Sequence, residues 1–423
     1  MVRAEWCASP GRSPEPTKRE RGPMKIGLDA RSMVATRPRG TGRNLLDAYR
    51  LIPSLRPSWR FVLYHQRSLP GSARPTAEHP WHHPNVGLRR IDLPGDRLNA
   101  WFQVRLPLAA WRDRIDLMHF PANTAPAWCP VPFIMTVHDL IPLKLPGELP
   151  RRETRAFRRG LLRGLRRATH IITVSTATRD DLHQDFGIPL SRMTVIPWAP
   201  DTGVQTAAHR RLDAEQKRQI QARYDLADRW LLTFSGSTRR KNARGVLDGF
   251  ARTKPEPRRH TQLVLVGCEP ESYRMQLTAQ AERLGIRDQC RILGFVPHAD
   301  VPGLFGGSSG LLMPSRYEGF GLPILDAFAS RVPVLTSSRS SMPEVAGDAA
   351  VYCDPDDPRS IAAGIEQVLE PTTAEGLITK GCARLSLFSW QRTAELMCTV
   401  YETCLNRRPA PHPTPAGLCG GGA

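Results

Sequence analysis

Short apolar runs recur along the chain, separated by longer stretches whose apolar residues fall three and four apart. The runs at Lys25–Leu28, Trp59–Tyr64, Leu117–Phe120, Phe133–Val137, His170–Val174 and Thr194–Ile196 read as strands. A polar stretch then follows Trp198-Ala-Pro-Asp201. A second series of runs lies at Trp230–Phe234, Gln262–Val266, Cys290–Leu293, Gly310–Met313, Val332–Leu335 and Ala350–Cys353. Helical patterns of about 10–18 residues stand between most of them. Strands alternating with helices predict βαβ units and parallel sheets covered on both faces, and two such series predict two doubly wound domains. Their boundary falls between Ile196 and Arg229, giving domains of 24–205 and 206–386. Ligands in such sheets bind at the carboxyl ends of the strands, so the expected site is a cleft between the domains. Residues 387–405 have helical spacing at Trp390, Ala394, Met397 and Tyr401, which predicts a helix crossing back to the first domain.

The ends read differently. Residues 1–23 are rich in Pro, Arg and Ser, without periodicity or an apolar core of the secretory kind. They predict a disordered extension, or a start at Met24. The stretch 406–423 predicts a disordered tail.

Composition narrows the class. The chain has 423 residues, 40% of them hydrophobic, enough for each domain to bury a core. No apolar run approaches the roughly 18–20 residues that cross a bilayer. The formal charge is +19, with 52 arginines and seven lysines among the 59 cations. That arginine bias, beside 39 prolines and 33 glycines, fits a GC-rich genome. The charge is therefore discounted as a sign of nucleic acid, while anionic ligands and anionic membrane stay open. Nine cysteines, an odd number without a Cys-x-x-Cys, read as reduced thiols of a cytosolic protein rather than a zinc site.

The chemistry concentrates in Pro314-Ser-Arg-Tyr-Glu-Gly-Phe-Gly-Leu-Pro-Ile-Leu-Asp326. A strand ends in a loop with an acid and two glycines, and a helix begins at Leu322-Pro323. Glycines admit a close ligand, and the helix start offers free N–H groups. Glu318 and Asp326 are two acceptors for a polyhydroxyl ligand. The basic turn Arg240-Lys-Asn242 follows a strand that ends in Phe234. His138-Asp139 follows the apolar run Phe133–Val137 and would place an imidazole and a carboxylate in the cleft; Asp139 either orients His138 or caps a turn. Gly40-Thr-Gly42 alone is equally a plain turn, since position 45 is Leu and the motif lies far beyond its strand. Asp354-Pro-Asp356 reads as a turn rather than a metal site.

These segments resemble the family 4 retaining glycosyltransferases, which have the GT-B fold of two Rossmann-like domains. Ser315–Pro323, Pro333–Thr336 and Met342–Ala350 are similar to the family's C-terminal signature. Thr136-Val-His-Asp-Leu140, Lys25–Arg31 with Arg39–Arg43, Ile172–Ser175 with Val195–Pro197, and Thr233–Gly236 with Arg240–Asn242 are similar to its other segments. The resemblance spans residues 24–405. It implies that Glu318 lies by the donor sugar and that Phe320, Gly321 and Leu322 lend backbone N–H groups to it. It implies a ribose contact for Asp326, a diphosphate contact for Arg240 and Lys241, and a place facing the phosphates for Gly42. It puts His138 beside the sugar. Two departures stand out: Asp326 replaces the usual Glu, one methylene shorter, and Ser235–Thr238 lacks a cation often found there.

The resemblance implies sugar transfer, with mannose as the lean, from a nucleotide-diphosphate sugar to a hydroxyl of a glycan or lipid-linked acceptor. It implies retention of configuration, no cofactor, no metal and a place in polysaccharide or cell-envelope synthesis. The acceptor pocket is expected in the first domain, near His119–Asn123 and Asn99–Gln103. Residues 151–167 carry eight arginines opposite Phe157, Leu161, Leu162 and Leu165. They read either as an ordinary surface helix or as a basic face on anionic lipid, which would make the protein cytoplasmic and peripheral at the inner membrane face. A dehydrogenase would need a dinucleotide fingerprint, and an epimerase a different acid–base set. A nucleic-acid binder would need binding motifs that are missing.

Overall fold

The computed structural model describes residues 23–34, 40–66, 80–92, 99–210 and 214–406. The expectations for 1–22 and 407–423 lie outside these residues. Asn406 still belongs to the last helix, one residue beyond the predicted end.

Two parallel sheets form the framework. The first holds β1 (Lys25–Asp29), β2 (Arg60–His65), β3 (Val86–Arg90), β4 (Leu117–Phe120), β5 (Phe133–Val137), β6 (His170–Thr173) and β7 (Met193–Val195), in the order β3-β2-β1-β4-β5-β6-β7. The second holds β8 (Trp230–Phe234), β9 (Gln262–Val266), β10 (Cys290–Ile292), β11 (Gly310–Met313), β12 (Val334–Ser337) and β13 (Ala350–Cys353), in the order β10-β9-β8-β11-β12-β13. Every residue of β4, β5, β6, β9, β11 and β12 is buried, as expected of strands with helices on both faces. β3 has no counterpart in the expected strands. It is an edge strand, largely exposed and ending in two arginines, so it lacks the apolar run that marks a covered strand.

The strand order decides where chemistry can sit. In the second sheet the order reverses between β8 and β11, which pair through Gly310↔Leu231 and Leu311↔Leu232. The loops leaving these two strands therefore diverge around a crevice at the carboxyl edge of the sheet. In the first sheet the reversal lies between β1 and β4, paired through Ile26↔Leu117. β5 is the next strand along.

The C-terminal helix Trp390–Asn406 returns to the first sheet and packs on the helix Gly40–Leu55. Tyr401 is fully buried, and its hydroxyl lies 2.9 Å from both the Tyr49 hydroxyl and the His119 Nδ1. His119 Nε2 meets Thr136 Oγ1 at 2.8 Å. Burial pushes the His119 pKa down to about 3, so the ring is neutral and serves as a tie between strand and helix. The residues named for an acceptor pocket around His119–Asn123 and Asn99–Gln103 differ in exposure: Asn99 is exposed and Asn123 partly so. His119, Trp101 and Phe102 are core residues, and the Gln103 side chain accepts the Ala127 amide. Trp390 donates its indole N–H to the Pro200 carbonyl at 2.8 Å, fastening the same helix to the connection between the sheets. The described cysteines are all free thiols.

Candidate functional site

β8 delivers a short turn, Arg239–Lys241, and β11 delivers the loop Pro314–Gly321. Because the strands are neighbours, the two are joined: the Arg316 amide donates to the Arg240 carbonyl at 2.8 Å and the Arg316 guanidinium to the Arg239 carbonyl at 2.9 Å. Between them Glu318 is buried with both cations. Its Oε1 lies 2.9 Å from Lys241 Nζ and accepts from Ser315 Oγ at 2.9 Å, while its Oε2 pairs with the Arg240 guanidinium. Its amide donates to Ser340 Oγ at 2.9 Å. Burial alone would favour the protonated acid. The Lys241 ammonium and the Arg240 guanidinium outweigh it and hold the Glu318 carboxyl below its ordinary value, so it is ionised. Burial pulls the Lys241 pKa down, against the attraction of Glu318.

The loop then turns through Gly321, whose φ of 110° suits glycine, into the helix Leu322–Ala329. Phe320 is buried against Phe388 at 6.1 Å between ring centres. Ser341 Oγ donates to the carbonyls of Glu318 and Phe320 at 2.9 and 2.8 Å, which fixes the loop from beneath. In the first turn of the helix Pro323 has no N–H and the Ile324 amide donates to the Gly321 carbonyl at 2.9 Å. Thr238 Oγ1, in the loop ahead of the cationic turn, is buried with no hydrogen-bond partner among the described residues.

Against this loop stands His138, just past the end of β5. Its amide donates to Asn123 Oδ1 and its Nε2 donates to the Pro121 carbonyl, each at 2.6 Å. The ring stacks on Trp198, 6.0 Å between centres and 19° between planes. Burial keeps the imidazole neutral, so with Nε2 donating, Nδ1 is an acceptor. Asn123 and Pro121 of the segment His119–Asn123 thus support His138. Asp139 caps the next turn, accepting the Ile141 amide at 3.1 Å, and burial raises its pKa. Gly319 presses on this strand end: a Cβ there would stand 2.1 Å from the His138 carbonyl oxygen and 2.9 Å from Asp139 Cβ.

The structure thus brings His138, Glu318, Arg240, Lys241, Phe320, Gly321 and Leu322 to one seam between the domains. Gly42 and Asp326 belong to a second cluster. Gly40-Thr-Gly42 is not a loop but the first turn of the helix Gly40–Leu55. Arg43, next in that turn, meets His298 Nδ1, and His298 Nε2 lies 3.2 Å from Asp201. Asp326 Oδ1 accepts the Asp201 amide at 2.8 Å. Burial, with Asp201 and Asp47 close by, pushes its pKa up to about 8. Asp354 and Asp356 are engaged by Arg339, and Asp356 also by Arg316.

Three further residues join the domains and were not singled out in the sequence. Glu148 accepts the Arg240 amide at 2.8 Å. Tyr317 donates to Asp181 at 2.6 Å. Glu344 accepts the amides of Thr176 and Ala177, at 2.8 and 3.3 Å, at the start of the helix Thr176–Phe186. Tyr317 and Glu344 carried a signal, their places in the Ser315–Pro323 and Met342–Ala350 segments; Glu148 carried none.

Comparisons with known proteins agree with this fold. The family model described as glycosyl transferases group 1 matches residues 216–380, and that of glycosyltransferase family 4 matches residues 48–203. The chain is 32% identical to O-antigen chain mannosyltransferase B of Escherichia coli, over 64% of this chain and 70% of that protein. It is 27% identical to the MMP alpha-(1->4)-mannosyltransferase of Mycolicibacterium hassiacum, over 65% and 66%. Among solved structures, a glycosyltransferase from Rickettsia africae superposes with a TM-score of 0.69 at 14% identity, covering 92% of this chain and all of that one. HepE from Anabaena, in complex with UDP and glucose, superposes with a TM-score of 0.68 at 18% identity, covering 90% and 100%. At such identities these two structures speak for the fold, which is GT-B.

Proposed function

Since the chain belongs to glycosyltransferase family 4, we propose that it transfers a hexose, mannose first, from a nucleotide-diphosphate sugar to a hydroxyl of a glycan or lipid-linked acceptor in polysaccharide synthesis. The observation that carries this is the buried triad of Glu318, Arg240 and Lys241 at the reversal point of the second sheet. With no donor, Glu318 is the counter-charge of both cations. An arriving diphosphate takes over that part, and Glu318 is freed to accept hydrogen bonds from sugar hydroxyls. The mannosyltransferases among its relatives support the choice of sugar.

In the proposed course the acceptor oxygen forms a bond to the anomeric carbon on the face that the diphosphate leaves. The bond from that carbon to the phosphate oxygen breaks, its electron pair goes to the diphosphate, and the acceptor proton moves to that departing oxygen. Configuration is retained. Fixed cations that face the growing negative charge stabilise it most in the transition state. Arg240 and Lys241 supply them here, which supports a reaction that needs no metal. Glu318, held by an ammonium, a guanidinium and a hydroxyl, is a poor covalent nucleophile. The neutral His138 offers Nδ1 on the sugar side of the cleft. Asp326 has Oδ1 on the Asp201 amide and is one methylene shorter than a glutamate, so its ribose contact is weaker than a glutamate's.

The test is mass detection of the transferred hexose with GDP- and UDP-sugars, with and without EDTA, and the anomeric configuration of the product by NMR. Glu318→Ala should keep its fold and lose about a hundredfold in rate, about 3 kcal/mol of barrier. Wild-type transfer by that variant, loss of activity in EDTA, or an inverted product would each overturn the corresponding part.

A further inference from the structure

The helix Arg151–Arg167 has a feature that sugar transfer does not use. Its sequence, RRETRAFRRGLLRGLRR, contains eight arginines and one acid, Glu153. At about 100° per residue all eight fall within one half of the helix circumference. All eight are exposed, and none pairs with a carboxylate among the described residues. The opposite half carries Leu161, Gly164 and Leu165, which are buried. Gly164 sits so close to the sheet that a Cβ would lie 2.7 Å from Met135 Sδ. The helix is therefore fixed, with its whole charge turned outward.

Two exposed apolar residues flank its C-terminal end. Arg167 donates to the Ala127 carbonyl, and the Ala127 amide donates to Gln103. Trp128 and Val104, the neighbours of Ala127 and Gln103, are 46% and 48% exposed. The other end of the helix opens three residues after Glu148, which holds the Arg240 amide of the cationic turn. The basic face thus runs about 25 Å, from the mouth of the cleft to an exposed tryptophan.

We infer that this face docks the protein on an anionic lipid bilayer. Lipid phosphates are the counter-charge the arginines lack, and Arg side chains can extend to them along a helix lying in the surface plane. Trp128 and Val104 enter the interface at the end where charge stops, as an indole does at headgroup depth. The face is a convex ridge with no aromatic residues between its arginines, which suits a bilayer better than single-stranded nucleic acid. Docked this way, the cleft mouth at Glu148 and Arg240 lies beside the lipid surface, where a membrane-borne acceptor would present its hydroxyl.

The test is co-sedimentation of the full chain with vesicles of phosphatidylcholine alone and of phosphatidylcholine with phosphatidylglycerol. It needs no donor, so it stands apart from the transferase reading. Binding is expected only to the vesicles with phosphatidylglycerol. The double variant Arg158→Glu, Arg159→Glu should bind at least about a hundredfold more weakly, since it shifts four charges at roughly fivefold each. Trp128→Ser, which leaves the charge unchanged, should weaken binding several-fold. Thermal melts of both variants should match the wild type. Equal binding to both vesicles, none to either, undiminished binding by the double variant, or tighter binding to a duplex oligonucleotide than to the anionic vesicles would overturn the inference.

Discussion

At position 319 the absence of a side chain sets how closely the domains meet. Any Cβ there would stand within 2.1 Å of the His138 carbonyl, which is backbone and cannot swing aside. Gly319→Ala should therefore part the Glu318 loop from His138 and lower kcat by more than tenfold, with nucleotide affinity nearly unchanged because Arg240 and Lys241 are untouched. Steady-state kinetics beside nucleotide titration checks this; an unchanged kcat would mean the contact is not part of the working state. Asp326 gives a test of another kind. Its ordinary value is 3.8 and its folded value about 8, so between them the native state keeps a proton that the unfolded chain has released. Its contribution to stability is full below the lower value and is lost as pH rises toward the upper one. Asp326→Asn keeps an oxygen for the Asp201 amide and has no charge to bury. Denaturant titrations at about pH 5 and about pH 9 should show it gaining on the wild type at the higher pH, whereas an equal difference at both would contradict the shift. Sequence reading found Glu318, Arg240, Lys241 and His138 because each stands in a dense local pattern. It missed the contacts of Glu148 and Tyr317, whose partners are 92 and 136 residues away; Glu148 has no pattern around it, and the motif around Tyr317 says nothing of Asp181.

Among the elements, the helix Thr176–Phe186 carries most of the closure. Ser175 caps it from within, accepting the Thr178 amide at 3.1 Å, while Glu344 of the other domain takes the amides of Thr176 and Ala177. Thr178 Oγ1 reaches the carbonyls of His138 and Gly319 at 3.2 and 3.5 Å. A carboxylate on helix N-terminal amides is worth about 1 kcal/mol. Glu344→Ala should thus shift the balance toward separated domains about fivefold, visible as a larger radius of gyration in solution scattering and a matching fall in kcat/KM. An unchanged radius and rate would assign Glu344 a local role only. Strand interiors were legible because parallel strands covered on both faces are written as continuous apolar runs. Their ends were less so: β2, β7 and β12 are each displaced from the expected run, and β3 was missed because an exposed edge strand needs no apolar face.

For the molecule as a whole, the two alternating series of runs were enough to place two sheets and a returning helix. The register between the domains was not readable, because it rests on single long-range contacts such as Glu344 with Thr176. The net charge of +19 proved uninformative as a sum and informative by position. Two cations meet at Glu318, and eight arginines line one exposed helix face. No helix among the described residues is long and apolar enough to cross a membrane. The account depends most on Arg240 and Lys241 being the seat of the departing diphosphate. Calorimetric titration of the wild type, Arg240→Ala and Lys241→Ala with whichever of GDP and UDP the wild type binds tests it most directly. Each variant should lose about tenfold to a hundredfold in affinity, the worth of a hydrogen bond to a charged group. Wild-type affinity in both variants would contradict it.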